Sequence, residues 1–171
     1  VGFKLVQAYV EKFNLPKENL LPFLDLVAVS IAADIVPITG ENRILAFAGL
    51  ERLNTQPRLA FQHLIPINIR NNVNISNVVF SIAPKINAAG RIKHGSEAVR
   101  FMLSTNEEDC KKYSQEINSL NNERKMLDVD ITNGALAQLS GIDTTGKYST
   151  IVYDPTWNKG VIGIVASRLV D

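Results

Sequence analysis

Residues 84–91, Pro-Lys-Ile-Asn-Ala-Ala-Gly-Arg, carry the chemistry most easily read from this chain. Two alanines and Gly90 let a backbone come close to a ligand, and glycine tolerates φ > 0 at no steric cost. Arg91 offers a planar guanidinium fork suited to a phosphate, and Asn87 supplies both a donor and an acceptor. The alternative is a turn carrying a solvated Arg. A second candidate is Asp34, which lies at the end of the apolar run 25–35. A carboxylate at the end of a buried element needs a cation, a metal or hydrogen bonds, so Asp34 reads as a metal ligand, a helix cap or half of a buried ion pair. Asp25, at the start of the run, is the better cap candidate.

A third stretch runs from Trp157 to Arg168. A strand, a glycine-bearing loop and a helix can together present backbone N–H groups to an anion. The helix N-terminus that carries Gly160 and Gly163 would then bind a phosphate, with Lys159 assisting. The same glycines equally suit close packing of a helix. Trp157 could stack on a base or serve as core. His63 and His94 are the only histidines, and without cysteine partners nearby they make no zinc site. His94 joins Arg91 and Lys93 in a small basic cluster that reads as a solvated loop or a phosphate contact. No P-loop and no nucleophilic triad is visible.

The elements that must position these residues follow from periodicity. Helices are expected over 5–13, 42–53, 59–64, 95–103 and 160–169, the last carrying Gly160 and Gly163 in its first turn. A long, highly polar helix is expected from Glu107 to about Leu139, of the kind that bridges domains or lies along a surface. The run 25–35 is a buried helix or a buried strand. Residues 19–24 form a connector and 68–77 a loop or strand edge. Strands are expected at 78–82 and 149–153, and 140–146 is a turn-rich linker. The resulting class is α/β: a helix-flanked, mainly parallel sheet over 1–105, a connecting helix and linker over 106–146, and the start of a second α/β domain over 147–171.

The totals set bounds. With 171 residues, of which 46% are apolar, the chain can build a real core. Its net charge of +1 excludes a global basic field, so attraction to nucleic acid would need a local patch. One cysteine, Cys110, rules out an intrachain disulfide and fits a reducing cytoplasm. No secretory signal and no membrane-length apolar run is present. The first and last helical patterns look cut, which suggests a fragment of a larger protein.

Taken in order, these segments resemble the DHH phosphoesterase family, in its single-strand-specific exonuclease branch. Residues 25–37 resemble the family's fourth motif, with Gly40-Glu41-Asn42-Arg43 and Gly49-Leu50 following. Residues 84–91 resemble the Asn-Ala-Ala-Gly-Arg signature, Leu120-Asn121-Asn122-Glu123-Arg124 a motif of the connecting helix, and 157–169 the opening of the accessory DHHA1 domain. The resemblance implies a phosphodiesterase using two divalent ions, Mn²⁺ or Mg²⁺, that releases mononucleotides from the 5′ end of single-stranded DNA. It makes Asp34 a catalytic metal ligand and Arg91 a phosphate contact, with Asn87 and Gly90 shaping that loop and Gly160, Gly163 and Ser167 binding the strand. It leaves open a small-substrate phosphatase or short-RNA nuclease, and a non-catalytic DNA-binding scaffold. Lys85 stands where relatives often carry Arg, and Asn158 where His is common. The naming Asp-His-His motif is absent from this chain, which alone should be inactive.

Overall fold

The computed structural model describes residues 1–143, 146 and 148–170, and among them it contains helices and turns but no strand. The expected α/β class with a parallel sheet is therefore wrong for this chain. The elements are α1 (Gly2–Lys12), a 3₁₀ turn (Lys17–Phe23), α2 (Leu24–Ala33), α3 (Gly40–Thr55), α4 (Leu59–Leu64), a 3₁₀ turn (Ile67–Ile69), α5 (Ile75–Asn77), a π turn (Val78–Ile82), α6 (Ala83–Ile92), α7 (Ser96–Leu103), α8 (Glu107–Leu139) and α9 (Ile162–Val170). Two residues of the expected 140–146 linker, Thr144 and Thr145, lie outside the described residues, as do Lys147 and Asp171.

The misread strands have local explanations. Asn74 and Asn77 form a reciprocal capping box, with Asn77 N–H donating to Asn74 Oδ1 at 2.9 Å and Asn74 N–H to Asn77 Oδ1 at 3.0 Å. That cap starts a helical path which continues through residues 78–82 as a π turn and into α6. The β-branched run supplies no partner strand, so its backbone closes on itself; a short apolar run does not specify which. Just upstream, the Asn54 side chain donates to Val73 O and accepts from Val73 N–H, satisfying backbone that a neighbouring strand would otherwise pair. At 149–153 the same substitution occurs. Gln138 Nε2 donates to Tyr153 O at 3.0 Å and Gln138 Oε1 accepts from Tyr153 N–H at 3.1 Å, and no ladder forms.

The ambiguous run 25–35 resolves as α2, which lies against α3. Their contact is close because of Gly49: a Cβ there would collide with Leu24 O and lie 2.6 Å from Ala28 Cβ. Asp25 is not a cap. It is fully buried and receives Arg58 Nε at 3.0 Å, Arg58 Nη2 at 2.8 Å and the Arg58 and Leu26 amides. Arg58 also donates to the Pro22 and Met102 carbonyls, so this pair ties α2 to the start of α4 and the end of α7.

α8 is the spine. Asn106 caps it by accepting Asp109 N–H at 2.8 Å, and Glu107, Glu108 and Asp109 place negative charge at the positive end of the helix dipole. Its buried residues are Cys110, Ser114, Ile117, Leu120, Asn121, Asp128, Ile131 and Ala135. Leu120 apart, they form with half-buried Arg124 a stripe spaced alternately by four and three, as for a helix with one packed seam. The N-terminal part of this stripe faces a large core that includes Phe61, Val78, Ile82, Ala88, Ala89 and Phe101. The C-terminal part meets a small core of Ile131, Ala135, Val161 and Val165, with Ile92 packed against both cores.

Candidate functional site

α6 presents Asn87, Gly90 and Arg91 on one exposed face, because positions i, i+3 and i+4 share a side of a helix. The opposite face, Ala88 and Ala89, is buried with no exposure. Small residues there let α6 pack tightly along α8, which fixes where Arg91 emerges.

The structure brings the second glycine segment to this face. Arg91 Nη1 donates to Gly160 O at 3.0 Å. A Cβ on Gly160 would collide with the Arg91 carbonyl oxygen and lie 2.9 Å from its carbonyl carbon and 3.1 Å from its Cα. Only glycine allows this approach. Gly160 is held in turn by Asn158, whose Oδ1 accepts the Gly160 N–H at 2.8 Å. That contact gives Asn158 a structural task. Gly160 and Val161 precede α9 rather than opening it, which corrects the expected helix start. Gly163 has open space around it and Ser167 is exposed.

Arg91, Gly163, Ile164, Ser167 and Arg168 line one open cleft of about 630 Å³ between α6 and α9. Arg91, Gly163 and Ser167 thus meet in one place, and Gly160 packs against Arg91 beside it. Arg168 was missed. Its Nη2 donates to Asp128 Oδ2 at 2.9 Å and its Nη1 to Thr132 Oγ1 at 3.4 Å. Asp128 is buried and also lies 3.8 Å from Arg124 Nη1, so α8 orients the guanidinium that α9 brings to the cleft. An acid at Asp128 forty residues before an Arg carries no sequence signal of pairing.

Asp34 sits elsewhere in the pattern. It is exposed, caps the C-terminus of α2, and its carboxylate accepts a hydrogen bond from Ser30 Oγ at 3.5 Å. The next residue, Ile35, has φ 50°, and its N–H bonds Ala32 O while Val36 N–H bonds Ile31 O. This is a Schellman stop with a β-branched residue where glycine is usual, and it holds local strain beside the carboxylate. Asp34 fits as one oxygen ligand of a hard divalent ion. Among the described residues, however, no group of three His, Cys, Asp or Glu side chains could hold a metal. His63 pairs with Glu107 at 2.8 Å, and His94 Nδ1 bonds Ser96, so both histidines have local roles. Trp157 lies over Gly134, where a Cβ would come 3.3 Å from its ring, and so serves packing between α8 and the loop before α9. No described helix is long and apolar enough to cross a membrane.

No family model matches the chain. Among curated proteins, it is similar to the single-stranded-DNA-specific exonuclease RecJ of Bacillus subtilis, at 38% identity over the whole chain and 21% of that protein. RecJ of Escherichia coli is 31% identical over 95% of the chain and 29% of its own length. Among solved structures, RecJ from Thermus thermophilus in complex with Mn²⁺ superposes with a TM-score of 0.87 at 31% identity, over 99% of this chain and 25% of that one. An exonuclease RecJ bound to manganese gives the same TM-score at 32% identity, over 99% of this chain and 42% of that one. Sequence and fold agree: this chain is related throughout its length to the RecJ exonucleases, matching a stretch that is less than a third of either curated relative named here.

Proposed function

We propose that this chain forms one wall of the cleft of a metal-dependent 5′-to-3′ single-stranded-DNA exonuclease. The observation that carries the reading is the convergence of Arg91 from α6 with Gly163, Ser167 and Arg168 from α9 on one open cleft. Two guanidiniums and a hydroxyl suit the phosphates of a strand. Asp34 contributes one carboxylate to a site for Mn²⁺ or Mg²⁺, the ions held by the similar solved structures. Divalent ions in such a site activate water and offset charge on the phosphoryl oxygens. The chain's own residues bind and orient: Arg91 engages phosphate while its bond to Gly160 holds α6 to the loop before α9, Arg168 is aimed by Asp128, and Asn87 and Gly90 lie exposed on the same α6 face as Arg91.

On this reading residues 1–105 belong to a DHH domain, 106–146 connect, and 147–171 open a DHHA1 domain, in a cytoplasmic protein. The division of buried residues into two cores along α8 supports that partition.

The test is a nuclease assay on a polypeptide that joins this chain to an Asp-His-His portion, using 5′- or 3′-labelled single strands with Mn²⁺, Mg²⁺ or chelator. Metal-dependent release of mononucleotides from the 5′ end is expected, with Asp34→Asn losing activity and Arg91→Ala or Arg168→Ala weakening strand binding about tenfold. Hydrolysis of dinucleotides alone points to a small-substrate enzyme, and strand binding without hydrolysis to a scaffold.

A further inference from the structure

On the other flank of α6 lies a second cleft, of about 310 Å³, lined by Phe80, Ser81, Pro84, Lys85, Arg124 and Lys125 among others. Three cations converge on it. Lys85 and Lys125 belong to no ion pair among the described residues. Lys85 spends one of its three donors on Leu64 O at 3.1 Å. Burial, and then the neighbouring charge of Lys125, push its ammonium below the usual lysine value, so the pair repel each other and would welcome an anion. Arg124 is steadied by Asn121 Oδ1 at 3.4 Å and by Asp128. The Leu-Asn-x-x-Arg segment of α8 thus faces the Pro-Lys start of α6, a meeting that the cleft around Arg91 does not use.

The π turn supplies the other half. It buries Val78 and Ile82 yet leaves Phe80 78% exposed at the rim of a basic cleft. π turns are rare and concentrate at functional sites. An exposed aromatic ring beside uncompensated cations is the usual platform for a nucleotide of a single strand, the ring taking the base and the cations the phosphate.

We infer that the cleft between Phe80, Lys85 and Lys125 is a second contact for a single-stranded nucleic acid, seating one phosphate on Lys85 and Lys125 with the adjoining base against Phe80. The inference rests on the strand-binding function proposed above and adds a site to it.

The experiment is fluorescence anisotropy of a labelled oligothymidylate with the 171-residue chain, titrated across salt. Phe80 and Lys125 are both exposed, so their substitution leaves the core intact. Phe80→Ala should weaken binding about fivefold or more, and Phe80→Trp should restore it. Lys125→Ala should reduce the slope of log affinity against log salt by about 0.7, one phosphate's worth for a single strand. Arg91→Ala serves as the parallel arm. If Arg91→Ala weakens binding while Phe80→Ala and Lys125→Ala do not, the second contact is refuted and the cleft around Arg91 stands. If the wild-type chain fails to bind the strand at low salt, both are refuted. If an acidic peptide displaces the strand from wild type but not from Lys125→Ala, and binds tighter than the strand, the occupant is a protein and the inference falls.

Discussion

Gly160→Ala should undock α9 from α6, and its size follows from the geometry. The added Cβ would sit 2.9 Å from the Arg91 carbonyl carbon and closer still to its oxygen. Carbon atoms meet at about 3.5 Å, so the carbon contact alone requires the two backbones to part by about 0.6 Å, and the closer oxygen contact requires more. Both sides are main chain, and no flexible side chain can absorb the overlap. The same displacement would stretch the 3.0 Å bond from Arg91 Nη1 to Gly160 O beyond hydrogen-bonding range. Overpacking of this kind costs about 1–3 kcal/mol, and the exposed guanidinium–carbonyl bond adds about 1 kcal/mol. The expected loss is about 2–4 kcal/mol, borne by the small core of Ile131, Ala135, Val161 and Val165. Trp157, the only tryptophan, lies in that unit and reports on it directly. Urea unfolding followed by Trp157 emission should show an earlier transition in Gly160→Ala, while circular dichroism of the helical remainder moves less. Gly163→Ala is the control: nothing lies within 4 Å of its Cβ, and replacing a helical glycine should stabilise by about 0.5–1 kcal/mol. Equal midpoints for Gly160→Ala and wild type would refute the close-approach reasoning.

Three further outcomes are expected. Arg58→Met should cost about 3–5 kcal/mol in chemical denaturation, because it leaves the fully buried Asp25 carboxylate with only amide partners; a loss under about 1 kcal/mol would show that the site rehydrates. Ile35→Gly should raise stability by about 1 kcal/mol, since Ile35 holds φ 50° while 77% exposed and so gives up strain without losing burial; an unchanged urea midpoint would count against strain there. Cys110 should resist iodoacetamide in the native state at about pH 8 and react fully in denaturant. Burial first, then Glu107 and Asp109, push its thiol pKa up, so thiolate is scarce below that raised pKa and appears only as pH climbs through it; rapid native labelling would mean that α8 opens locally.

Residue type and spacing marked Arg91, Gly160 and Gly163 as candidates and the family resemblance added Ser167; the fold then brings Arg91, Gly163 and Ser167 to one cleft. Residue type and spacing also set the bounds of α8, since a charged N-terminal turn and a long apolar repeat are local properties. The same local rules misread residues 78–82. β-branched runs favour strands only when a neighbouring strand pairs them, and here the Asn74 cap and the packing of Val78 and Ile82 close the backbone into a π turn instead. Polar members of the α8 seam were equally hidden. Asn121, Arg124 and Asp128 occupy core spacing but do not read as apolar, and only their partners across the fold explain their burial.

What the sequence alone determined, then, was where the long helix runs and which groups were candidates for a phosphate, because short-range periodicity and residue type control both. Whether Asp25 or Asp34 was the buried acid, which glycine touches a backbone, and that Arg168 joins Arg91 were decided by tertiary structure. Each depends on a contact between residues 25 or more positions apart, and desolvation and close packing act only once those residues share a place in space.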